Sequence, residues 1–86
     1  MRIKESAILL RDGRIFTGKR HCNALEAAKQ AGVERLDCLH SEQGFMTECG
    51  KFVRRKLALR IALDANQVLD HAKIKWHVGL FSEDLY

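Results

Sequence analysis

Apolar positions along the 86 residues fall into short runs whose period changes as the chain proceeds. Ile3 to Leu10 is mostly apolar and ends at Arg11-Asp12-Gly13-Arg14, and an Asp-Gly pair between two apolar runs predicts a hairpin with a return strand from Arg14 to Thr17. Gly18 to His21 follows as a basic loop. Asn23 to Ala31 is rich in helix formers, with Leu25, Ala28 and Ala31 sharing a face, Asn23 as N-cap and Gly32 as the stop. Arg35 to His40 alternates, which predicts a short strand with Leu36, Cys38 and His40 on one side. Phe45-Met46-Thr47 and Lys51-Phe52-Val53 flank Glu48-Cys49-Gly50 as a second hairpin. Arg54 to Ala65 has the clearest helical period, with Leu57, Ala58, Ile61 and Ala65 on its apolar face and Lys56, Arg60 and Asp64 on another. Ile74 to Val78 alternates as a last strand, and Leu80 to Tyr86 follows without a regular pattern. The expected fold is α+β, roughly β-β-α-β-β-α with an extended C-terminal tail, in a single domain over residues 1–86. Phe16, Phe45 and Phe52 sit where core residues belong.

Composition narrows the class. Hydrophobic residues make up 47% of the chain and charged residues 30%, which supports a folded core. A chain this short buries a modest share of its surface, so a partner surface would ease the burial problem and a homo-oligomer is expected. Three cysteines, Cys22, Cys38 and Cys49, cannot all pair within one chain, and Met1 is followed at once by Arg2 and Lys4 rather than by an apolar leader. These features point to a cytoplasmic protein with reduced thiols and no membrane span. The net charge of +4 is unevenly spread. Lys51, Arg54, Arg55, Lys56 and Arg60 stand without an acidic residue among positions 51–60, whereas residues 61–86 are mildly acidic. Such a concentration of charge favours an anionic partner, a phosphorylated small molecule or a nucleic acid; the plainer alternative is a solvated helix face.

Candidate chemistry is sparse. Thr17-Gly18-Lys19-Arg20-His21 lies between an expected strand and an expected helix, where backbone amides beside Lys and Arg suit an anion, but it lacks the glycine and Lys-Ser/Thr spacing of a phosphate-binding Walker loop. No Cys-x-x-Cys or His-x3-His spacing supports a metal site. Cys22 or Cys49 with His21 or His40 is the nearest approach to a nucleophile and base, with nothing in the sequence to orient either. The chain therefore reads as a binding protein rather than an enzyme, with no cofactor and no metal. Nucleic acid is the weaker choice of partner, because the aromatics are not interleaved with the basic residues. Trp76, between Lys75 and His77, reads first as a core or dimer anchor and second as a stacking surface.

Four ordered segments carry a resemblance: Arg-Asp-Gly-Arg-Ile-Phe-Thr-Gly-Lys-Arg-His (11–21), Glu-Gln-Gly-Phe-Met-Thr (42–47), Gly-Lys-Phe-Val (50–53) and Leu-Phe-Ser-Glu-Asp-Leu (80–85). Together they resemble a group of short proteins encoded by tailed phages, which in turn looks similar to the anti-Thoeris sponge proteins that bind cyclic ADP-ribose-type signals. Such proteins usually carry acidic residues after the arginine matching Arg55 and a glycine before the glutamine matching Gln67; here Lys56-Leu57 and Asn66 stand at those places. The resemblance implies a phage accessory protein in the host cytoplasm that counters host defence by sequestering a nucleotide signal. It implies ligand contact by Lys19, Arg20, His21, Arg55, Asn66 and Gln67. The alternatives it leaves open are an anti-CRISPR-type inhibitor that binds a host defence protein, and a weak nucleic-acid-binding protein.

Overall fold

The computed structural model describes all residues from Met1 to Tyr86. Four strands, β1 (Ile3–Leu9), β2 (Ile15–Gly18), β3 (Glu42–Thr47) and β4 (Phe52–Arg54), form one antiparallel sheet in the order β2-β1-β3-β4. Helix α1 (His21–Gln30), a single turn α2 (Arg35–Leu39) and helix α3 (Arg55–Asp64) follow β2, α1 and β4 in the chain. Two 3-10 turns, His71–Lys73 and Ser82–Asp84, complete the C-terminal segment. The α+β class and the strand-strand-helix order read from the sequence hold.

Residues directly opposite one another in a sheet point to the same face. Register pairs Ser6 with Phe45 and with Gly18, Ile8 with Gln43 and with Phe16, and Phe45 with Val53. Phe45, Val53, Ile8 and Phe16 among those positions belong to the two hydrophobic clusters. One cluster packs Ile3, Phe45 and Val53 under Ala58, Leu59 and Ala62 of α3; the other packs Ile8 and Leu10 under Ala24 and Ala28 of α1. Both helices therefore cover the same face of the sheet. Alanines at the contact points let the helices sit close, and Phe45, fully buried, fills the centre.

Several expectations are corrected. Arg35–Leu39 is a helical turn rather than a strand. Leu36, Cys38 and His40 alternate, but Leu36 and Leu39, three apart, fit a helical period; both leucines remain exposed, and the turn is held through half-buried Cys38 against the α1 cluster. Ile74–Val78 forms no strand, only a tight loop closed by one bridge between Lys75 and Gly79. Trp76 in that loop is 61% exposed, so it anchors no core. Asn23 is not the N-cap of α1. The helix begins two residues earlier, and Asn23 reaches back so that its Oδ1 accepts the Arg20 N–H at 3.1 Å. On α3 the buried face is Ala58, Leu59 and Ala62, with Leu57 52% exposed. β4 runs into α3 without a loop, so inward Val53 fixes the phase of the helix. Phe52 points to the opposite face from Phe45, half-buried, and its ring lies where a Cβ on Gly44 would be; only glycine lets the ring approach so closely.

Candidate functional site

The strand ends set the geometry of the site. β2 ends at Gly18, level with Ser6, and β4 ends at Arg54, level with Gly44 and Ala7. Each helix starts from there and doubles back over the sheet. α1 runs toward Leu10 and α3 toward Ile3, so the two helices begin head to head at mid-sheet and diverge. Their positive dipole ends converge on the Gln43–Gly44 stretch of β3. Neither first turn carries an acidic residue, and no side chain caps the first turn of α3.

His21 and Arg55, the first residues of the two helices, occupy this junction. The His21 imidazole is buried, stands edge-on to Phe45 with ring centroids 5.0 Å apart, and has Nε2 2.8 Å from the Gly44 carbonyl oxygen. A carbonyl only accepts, so Nε2 carries the proton and donates it. Burial pushes the pKa of His21 down, the Gly44 carbonyl opposes that, and the charge on Arg55 pushes it down again. Arg55 donates from Nη1 to the Leu80 carbonyl at 2.8 Å and from Nη2 to Gln43 Oε1 at 2.6 Å, and its guanidinium stacks on Phe81 at 4.3 Å. Burial lowers its pKa while Glu83 and Asp84 raise it. Three of the four segments that carry the phage resemblance meet here, with His21 on Gly44 and Phe45, and Arg55, outside those segments, on Gln43, Leu80 and Phe81.

The other sequence-derived candidates lie elsewhere. Lys19 and Arg20 flank the ring of Tyr86, at 5.2 and 5.9 Å, and Arg20 Nη2 donates to the Tyr86 carbonyl at 3.3 Å. Gln67 grips the end of β1 with both ends of its amide, its Oε1 accepting from Ile3 N–H and its Nε2 donating to the Ile3 carbonyl, each at 2.8 Å. Asn66 has φ +60 at the end of α3 and is exposed. That left-handed conformation suits glycine first and asparagine second, so Asn66 serves as the helix terminator. Of the six candidates, His21 and Arg55 are brought together; Lys19, Arg20 and Gln67 gather around the C-terminal segment instead.

Two grooves adjoin at Gln43, which lines both. The larger, about 680 Å³, lies between α1, α2 and the start of β3, with Leu25, Val33 and Leu39 as its apolar part and Lys29 and Arg35 at its rim. The smaller, about 440 Å³, runs along the start of α3 past Arg54, Arg55 and Lys56. Five cationic side chains, Lys29, Arg35, Arg54, Arg55 and Lys56, face two carboxylates, Glu26 and Glu42. Glu42 is paired with Arg54 at 2.8 Å. An apolar floor continuing into a cationic end suits a ligand with a flat apolar part and a charged part. The sequence signalled only the second half, through the acid-free basic stretch ending at Arg60. Lys29, Arg35 and Gln43 carry no such signal, because a strand at Arg35 to His40 leaves the larger groove without the wall that α2 supplies. No three His, Cys, Asp or Glu side chains stand together as metal ligands would, and no helix is long and apolar enough to cross a membrane.

A family model described as phage T4 y16D protein matches residues 2–86. No curated protein and no solved structure matches the chain.

Proposed function

We propose that this chain, which belongs to the phage T4 y16D protein family, is a non-catalytic binding protein that captures a nucleotide-type ligand, a signal of host defence, in the double groove at Gln43. The observation that carries this is the joining of an apolar groove to a cationic one where two helices begin head to head. The apolar part, with Leu25, Val33 and Leu39, offers a surface for a base. Arg54 and Lys56 and the first amides of α3 offer charge and donors for phosphate. Arg55 takes a supporting role: its guanidinium is committed to Leu80, Gln43 and Phe81, so it contributes field more than a direct fork. His21, uncharged and bonded to Gly44, holds the start of α1 in place.

Capture breaks no bond, so the ligand must come off as it went on. The test is native mass spectrometry of protein purified gently from infected host cells, followed by titration calorimetry with nucleoside di- and triphosphates. The expected result is a small anionic mass retained per chain and released intact on denaturation, with binding that weakens as salt rises. Lys56→Glu is expected to weaken binding about tenfold or more, a loss of roughly 1.4 kcal/mol. Release of a cleaved product would overturn the proposal, as would a retained host protein with no small molecule.

A further inference from the structure

No helix packs on the face of the sheet turned away from α1 and α3, where Ala7 and Gly44 are buried only among their neighbours on the sheet, and we infer that this face is where two copies of the chain meet. Three rows cross it. Glu5, Met46 and Phe52 stand abreast, then Thr17, Ala7, Gly44 and Arg54, then Ile15, Leu9 and Glu42. None of these residues belongs to either hydrophobic cluster, because every helix packs on the other side. Ile15 is 38% exposed, and Leu9, Met46 and Phe52 are only half-buried.

Charge favours a second copy over an acidic or nucleic-acid partner. The chain as a whole carries +4, yet this face holds only Glu5, Glu42 and Arg54, the last two paired. Two copies can approach here without bringing their basic surfaces together. The layout is also self-complementary. Ile15 and Leu9 form one apolar corner, Met46 and Phe52 the opposite corner, and the middle row is mostly small. A two-fold axis in the plane of the sheet, perpendicular to the line joining the corners, lays each corner of one copy on the opposite corner of the other. The strands of the two sheets then cross steeply, as in orthogonal sheet packing. Four strands by three rows offer on the order of 500 Å² of accessible surface per copy, from ordinary strand spacing. The total for both copies lies near the lower bound for a specific interface, about 1,000 Å², so the dimer is expected to be reversible rather than obligate.

Analytical ultracentrifugation over a wide concentration range tests this. The mass is expected to rise from the 9.8 kDa of one chain toward twice that value. Ile15→Lys and Met46→Lys, both at the uncovered face, are each expected to hold the chain at one copy with an unchanged circular dichroism spectrum. Trp76→Lys, at an exposed apolar residue away from this face, is expected to dimerise like the parent. A parent chain that stays at one copy at the highest soluble concentration would overturn the inference. So would equal loss of association in the Trp76 variant, or a face that binds a different protein while the chain itself remains single.

Discussion

The residue that ties sheet, helix and site together is His21. It is the first residue of α1, it fills the space beside Phe45, and its one polar contact is a donated bond to the Gly44 carbonyl. Its folded-state pKa lies below the ordinary imidazole value of 6.5. The unfolded chain therefore takes up a proton first as pH falls. The stability tied to neutral His21 is fully present above the unfolded pKa and is lost as pH drops through the lower, folded one. Urea midpoints measured at about pH 7.5 and about pH 5.5 are expected to be lower at the acid value. His21→Gln keeps an amide donor without a titrating ring, and is expected to flatten that difference; an equal fall in both proteins would assign the acid sensitivity to another group. The resemblance implied ligand contact by His21 and Arg55, and the fold gives both side chains partners within the chain. Only three-dimensional proximity, a carbonyl facing a histidine and a tail crossing an arginine, reveals such commitments. Asn66 and Gln67 show the same limit: a left-handed turn and a two-pronged grip on Ile3 have no signature in spacing.

At the scale of elements, the sequence foretold both hairpins and the two long helices, because each has a clear local signal: Asp-Gly between apolar runs, and a sustained 3.6-residue period. It failed where the period was ambiguous over five residues, in α2, and where no period exists, in the C-terminal segment. That segment is ordered by distant partners. The backbones of Leu80 and Arg55 are joined at 2.9 Å, the Arg55 side chain holds the Leu80 carbonyl, and Leu80 itself is fully buried. Gly79 makes the approach possible, since it has φ +118 and a Cβ there would collide with the Arg55 backbone. Gly79→Ala is therefore expected to cost more than about 2 kcal/mol, combining backbone strain with the collision. Gly13→Ala also places alanine at positive φ, but with open space around it, and is expected to cost only about 1 kcal/mol. Denaturant unfolding of the two variants checks this, and equal costs would mean that the C-terminal segment is not held at Arg55.

For the whole molecule, the two faces of the sheet divide the work. The helical face carries the double groove and the basic start of α3, and the bare face carries the apolar corners. A dimer formed through the bare faces leaves the larger groove and Lys56 turned outward, whereas Arg54 and Glu42 stand at the edge that the smaller groove shares with the bare face. Association and ligand capture are then separable: Met46→Lys should abolish the first and spare the second, and Lys56→Glu should do the reverse. The most direct measurement is a titration of the protein with ADP followed by amide NMR. Binding in the double groove predicts shifts concentrated at His21 to Asn23, at Gln43 and at Arg55 to Leu57, with ADP recovered unchanged. Shifts centred instead on Lys19, Arg20 and Tyr86, or no saturable shift with any nucleotide, would contradict the groove at Gln43 as the site of capture.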